Sequence, residues 1–280
     1  MSNLLKTDLR RVFKDKLFLI ICIIAAGFAL ITPFLYKIIE VIINTALDDA
    51  ESNELYESMF YSKTLFTSAF SSTNNFGLIL PILVGIIICK DFSFGTMRNK
   101  IISGNSRKNI YLSLFLTITI IMTVIIVIYA LVIFAIGSLL FDYSTQPFTS
   151  KDISYMFSTL LFEILSYILI AAILTFYCVS IKSGGLSIVL FVATSLVFSL
   201  LGGVLSIISQ TITTAGDNNI TVSIVNFFSN ILPFYGANRI VSSANSYSLD
   251  NWLYLTIPPV ILAVLLVFLG IITFKKKDLK

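Results

Sequence analysis

Long stretches of this chain carry no charge, and its charges gather at the ends of those stretches. Lys6, Arg10, Arg11, Lys14 and Lys16 crowd the first sixteen residues, after which 17–36 pass without a charged side chain. The same alternation recurs to the C-terminus. Hydrophobic residues make up 57% of the chain and charged residues 12%, against roughly 45–50% and 25% in soluble domains. So few charges could not cover so much apolar surface in water. A bilayer is the natural solvent, and each helical crossing needs about 20 apolar residues.

Six spans are expected, at about 17–43, 66–89, 110–140, 154–181, 186–208 and 253–274. The first apolar run is longer than a signal-peptide core, about 7–15 residues, so it is expected to be a permanent span. An even number of spans places both termini on one side. Fifteen of the nineteen Lys and Arg residues fall on that side, leaving Lys37, Lys63, Lys151 and Arg239 on the other. By the positive-inside rule the termini are expected in the cytoplasm. No Gly/Ser linker or repeat divides the chain, so 1–280 reads as one membrane domain. The expected fold class is an all-α polytopic membrane protein with three accessory segments: an N-terminal amphipathic interfacial helix, a cytoplasmic coupling helix and a short outer re-entrant segment.

The interfacial helix is expected over 1–16, where Leu5, Leu9, Val12 and Phe13 share one face and Lys6, Arg10 and Lys14 lie on others, near lipid phosphates. The outer segment is 222–232, apolar but too short to cross and followed by Pro233 and Gly236. Pro258 and Pro259 are expected to bend or interrupt the start of the last span.

The second span is unusual. Its apolar part, 76–89, gives only ~21 Å of helix, so it must reach back through Ser71, Ser72, Thr73, Asn74 and Asn75. Hydroxyls and amides there suit a wet transport path beside a kink at Pro81, or polar contacts between helices. Glu163, about nine residues inside the fourth span, reads either as a path residue that binds a cation or relays a proton, or as a structural carboxyl. Ser195, Ser199 and Gly203, spaced four apart in the fifth span, let another helix approach closely.

Several chemistries are excluded by composition. Histidine is absent, which removes the commonest general base and metal ligand. Cys22, Cys89 and Cys178 have no ligand spacing and are expected as reduced thiols in a reducing compartment. No GxxxxGK[ST] phosphate loop occurs, so the chain itself holds no nucleotide, and no HExxH occurs, so it is not expected to be an enzyme. The formal charge of +4 does not point to nucleic acid.

The loop at 90–109 is the most distinctive. Phe94, Met97 and Ile101 are expected on one helical face, with Arg98 and Lys100 elsewhere. Gly104-Asn105 ends that helix, and Ser106 caps the next. Asp91 four before Gly95-Thr96, then Arg98, a short apolar stretch, and Ser106-Arg107 entering a span resembles the ABC-2 permease family, membrane subunits of ATP-binding-cassette exporters. The likeness covers nearly the whole chain, although Asp91 and Asn105 stand where family members often have Glu and Pro.

The resemblance implies a multi-pass subunit of a bacterial cell membrane. Its coupling helix over 91–103 would use Asp91, Phe94, Gly95, Thr96, Met97, Arg98 and Ile101 to engage a cytoplasmic ATPase subunit that holds ATP and magnesium. It further implies a second permease subunit, identical or not, with the second and fifth spans along the path. The cargo implied is an antimicrobial peptide, lantibiotic or drug-like amphipathic molecule. Two rival functions remain open: an ion-coupled secondary transporter using Glu163, and a non-catalytic membrane immunity protein.

Overall fold

The computed structural model describes residues 2–46, 62–69, 75–141, 150–181, 183–214, 219–232 and 249–276. Within them the chain forms ten helices and no strand: α1 (Ser2–Phe13), α2 (Lys16–Ala46), α3 (Ser62–Ala69), α4 (Asn75–Ser93), α5 (Thr96–Ile102), α6 (Arg107–Leu140), α7 (Ser150–Ser180), α8 (Gly184–Thr214), α9 (Asn219–Ile231) and α10 (Leu249–Lys276). Five of these, α2, α6, α7, α8 and α10, are long and apolar enough to cross a membrane. The sixth expected crossing, 66–89, falls on α3 and α4, and Ile79–Phe92 of α4 meets Thr96–Ile102 of α5 at a 54° bend.

Burial sorts the helices by role. Leu169, Ala171, Ala172 and Leu174 are all enclosed on α7, and Ile118, Met122, Ile126 and Ala130 are enclosed on α6. These two helices form the centre. α10 packs along both, α2 and α3 pack on α6, and α4 touches α2, α6, α7 and α8. Helix α8 is peripheral: Leu196, Val197, Leu200, Leu201 and Val204 are exposed, a surface suited to lipid or to another transmembrane subunit. At 1.5 Å per residue, 34-residue α6 runs ~51 Å, well beyond the ~30 Å hydrocarbon core. Its surplus supports the accessory segments.

Close packing falls where glycines remove a side chain. A Cβ at Gly270 of α10 would penetrate the phenol of Tyr111 on α6, and one at Gly184 of α8 would lie 2.7 Å from the Cβ of Cys89 on α4. Within the expected Ser195–Ser199–Gly203 stripe, Ser195 is buried and its Oγ donates to the carbonyl of Val192 at 2.7 Å. Ser199 and Gly203 are half-buried, and a Cβ at Gly203 would meet nothing within 4 Å.

Three boundaries differ from expectation. The 66–89 segment is not one helix: Phe66 and Ala69 belong to α3, which docks on α6 through an edge-to-face pair between Phe66 and Phe134 at 5.9 Å. Helix α10 runs through Pro258 and Pro259, both buried. They stand tenth and eleventh in its 28 residues, so they remove two backbone donors from the helix interior without ending it. The expected outer segment is a 13-residue helix, α9, packed against α8 and α10.

Candidate functional site

The site forms at the end of the bundle where α1, the α4–α5 elbow, the start of α6 and the end of α10 converge. It begins with local signals. Gly95 and Gly104 take φ of 67° and 83°, left-handed backbone that glycine adopts without steric cost. They bracket α5 and let the chain leave α4, make two turns and enter α6. The Oγ of Ser106 accepts from the backbone N–H of Asn109 at 3.3 Å and caps α6, as its position in the sequence suggested.

Three ion pairs then lock the elbow to the N-terminal segment. Arg11 of α1 donates to the buried carboxylate of Asp91 on α4. Lys90 of α4 donates to Asp15, in the turn between α1 and α2, at 3.0 Å. Lys100 of α5 meets Asp8 of α1 at 2.7 Å, and the other oxygen of Asp8 accepts from Ser113 Oγ of α6 at 2.8 Å. Asp8 thus ties three helices together from a buried position. A fourth contact closes the ring: Arg107 donates to the backbone carbonyls of Phe274 and Lys275 at 3.2 and 2.9 Å. A guanidinium there satisfies carbonyls that lack helical partners and complements the negative end of α10.

Asp15 also accepts from the backbone N–H of Leu17 at 3.0 Å, capping α2. That N–H, and beside it the Lys90 ammonium, hold its carboxyl below the usual carboxylate range. A pocket of about 180 Å³ lies in the crook of the elbow, lined by Arg11, Asp15, Lys90, Asp91, Phe94 and Thr96 among others.

The expected apolar face of the coupling segment divides in two. Met97 is 2% exposed and Ile101 packs against the core, whereas Phe94 is 72% exposed. Phe94 stands in the turn before α5, so helical spacing does not govern its direction. The outward face is Phe94, Arg98, Asn99 and Ile102, the last 73% exposed. Thr96 opens α5 and Gly95 forms the bend.

The N-terminal helix departs from expectation in the same way. Its inward face is Leu4, Asp8, Arg11 and the expected Leu9 and Val12, while Phe13 is exposed. Lys6, Arg10 and Lys14 do point outward. The three acids Asp8, Asp15 and Asp91 turn what looked like a lipid-facing helix into a structural latch.

The expected path residues are not gathered here. Ser71, Ser72, Thr73 and Asn74 lie outside the described residues, and Asn75 opens α4. Glu163 is fully buried on α7, with neither carboxyl oxygen hydrogen-bonded among the described residues. Comparison with known protein families finds no matching family model, and no curated protein matches the chain.

Proposed function

We propose that the chain is the transmembrane subunit of an ATP-driven exporter, and that the α4–α5 elbow is the lever on which a separate nucleotide-hydrolysing subunit acts. The observation that supports this most is the outward face of the elbow. Phe94 and Ile102, both largely exposed, flank Arg98 in sequence on the outward side of the elbow. An apolar pair around a cation is the composition of a protein-binding anchor rather than of a solvated loop. The ion pairs behind it make the elbow stiff, so a push on Phe94 is delivered to α1 through Arg11 and Lys100 and to α6 through Asp8.

In this reading the basic end faces the cytoplasm of a bacterial cell. ATP and magnesium stay on the partner, and the open side of α8 meets a second permease subunit, identical or homologous. The cargo is an amphipathic peptide or drug-like molecule.

The test is copurification in mild detergent with the ATPase expressed alongside. Phe94→Asp and Ile102→Asp are expected to leave folding intact and to reduce ATPase retention at least tenfold. Met97→Asp is unsuitable because it buries a charge. Full retention by the Phe94 and Ile102 variants would sink the lever. One observation favours the ion-coupled reading, the Glu163 carboxyl that has no hydrogen-bond partner among the described residues, and a Glu163→Gln variant that loses ATP-independent uptake would establish it.

A further inference from the structure

We propose that Cys89 and Cys178 form a redox modification site, a reversible disulfide that staples α4 to the end of α7. Their sulfurs lie 3.1 Å apart, on helices far separated in sequence, and both side chains are buried. A disulfide needs about 2.05 Å between sulfurs, so an approach of roughly 1 Å completes the bond without moving either helix far. No third ligating side chain joins them, since no cluster of three or more His, Cys, Asp or Glu residues forms among the described residues. That argues against a closed metal site, which usually takes four ligands.

The location gives the bond a consequence. Cys89 immediately precedes Lys90 and Asp91, the two α4 residues paired to the N-terminal segment. Cys178 lies two residues before α7 ends, and Gly184, the first residue of α8, sits directly over the Cβ of Cys89. Gly184 thus covers Cys89, and its chain neighbours Ser183 and Gly185 are exposed, so the buried pair lies a single residue beneath the surface at the start of α8. Oxidation would fix the root of the elbow to the α7–α8 turn, while Cys22, on α2, takes no part.

The chemistry needs a two-electron oxidant, and hydrogen peroxide is the class proposed. One thiol, as thiolate, attacks a peroxide oxygen; the O–O bond breaks, hydroxide leaves and a sulfenic acid forms. The second thiolate attacks that sulfur, the S–S bond forms, and the sulfenic oxygen departs as water after taking a proton. The two sulfurs lose two electrons, and one peroxide becomes two waters. Reversal needs a dithiol, as expected for a cysteine pair that senses redox state in a reducing compartment.

The experiment uses the full chain in membrane vesicles, without any partner, so its result is independent of the transport reading. Vesicles are treated with hydrogen peroxide, denatured, and labelled with a maleimide mass tag. Three cysteines give three tags before oxidation and are expected to give one after it, on Cys22, with three again after dithiothreitol. C178S is expected to keep two tags throughout, and C22S to fall from two to none. The apparent melting temperature should rise on oxidation of the wild type and not of C178S. Three tags retained after peroxide would overturn the proposal. So would tag loss that dithiothreitol does not reverse, or a melting temperature that falls on oxidation.

Discussion

The carboxylate of Asp8 meets the ammonium of Lys100 at 2.7 Å, joining the first helix of the chain to the elbow helix. Both side chains are nearly enclosed, at 4% and 11% exposure, so little water reaches either charge. Removing one partner of a buried pair costs about 3–5 kcal/mol, because the remaining charge stays buried. Asp8→Asn is therefore expected to lower the melting temperature in detergent markedly. Asp8→Leu combined with Lys100→Met should recover much of that loss. A double-mutant cycle should return a coupling of about 1–3 kcal/mol, and strictly additive single effects would show that the two residues do not act as a pair.

Asp15 and Lys90 give the latch a pH dependence. The Leu17 N–H, then Lys90, lower the Asp15 carboxyl relative to its unfolded value, which is about 3.9. A carboxyl lowered by folding stabilises the fold above the unfolded value and loses that contribution as pH falls through the folded one. Stability from this group is thus constant across neutral pH and declines only in acid. Asp15→Asn keeps an acceptor for the Leu17 N–H but discards the charge. Its melting temperature should fall less than the wild type's between about pH 5 and pH 3. An unchanged acid slope would show that Asp15 contributes nothing to the pH response.

What could be read along the chain was local. Charge-free runs gave the long helices because a span needs only its own composition, and Ser106 announced a cap three residues from its partner. Asp8 and Asp15 were not legible. Apolar periodicity in 1–16 marked Leu5, Leu9, Val12 and Phe13, and the oppositely charged partners of Asp15, Arg11 and Asp8 stand about 75 to 92 positions later. Phe94 was assigned to a helical face because nothing local marked it as part of the turn. The divided 66–89 segment was hidden for another reason. Burial of Phe66 against Phe134 is a tertiary contact, and a run of mixed polarity does not disclose where a helix stops. Small residues were silent in one place: a close approach of two helices falls at an isolated glycine in α10 that no pattern marked.

That glycine makes the third prediction. Gly270 is buried, and the phenol of Tyr111 occupies the space a Cβ would need. Tyr111 is itself fully buried on α6, with no partner for its hydroxyl among the described residues, so neighbouring side chains confine the ring. Gly270→Ala must push α10 away from α6, an overpacking that typically costs about 1–3 kcal/mol. Tyr111→Phe should be neutral or slightly stabilising, since it discards an unsatisfied polar atom. Adding Tyr111→Leu to Gly270→Ala should restore part of the lost stability. A Gly270→Ala protein that melts with the wild type would mean the two helices are not in this contact.

The fourth prediction concerns Glu163, which the sequence left between a path residue and a structural carboxyl. The structure encloses it completely and gives neither oxygen a hydrogen bond among the described residues. One turn along α7, Tyr167 is also buried, and its hydroxyl has no partner among the described residues. An unsatisfied polar group in such a place costs about 1–3 kcal/mol relative to one that is paired. If the carboxyl serves only packing, Glu163→Leu, of similar volume and wholly apolar, should raise the melting temperature while ATP-driven export continues. If it serves ion coupling, Glu163→Gln should stop uptake while leaving the melting temperature where it was. Enclosure favours the first outcome, because a group that exchanges an ion with water needs a wet route, and Glu163 has no solvent exposure. Thermal melts and vesicle transport on the two variants therefore decide between a lever-driven exporter and an ion-coupled carrier.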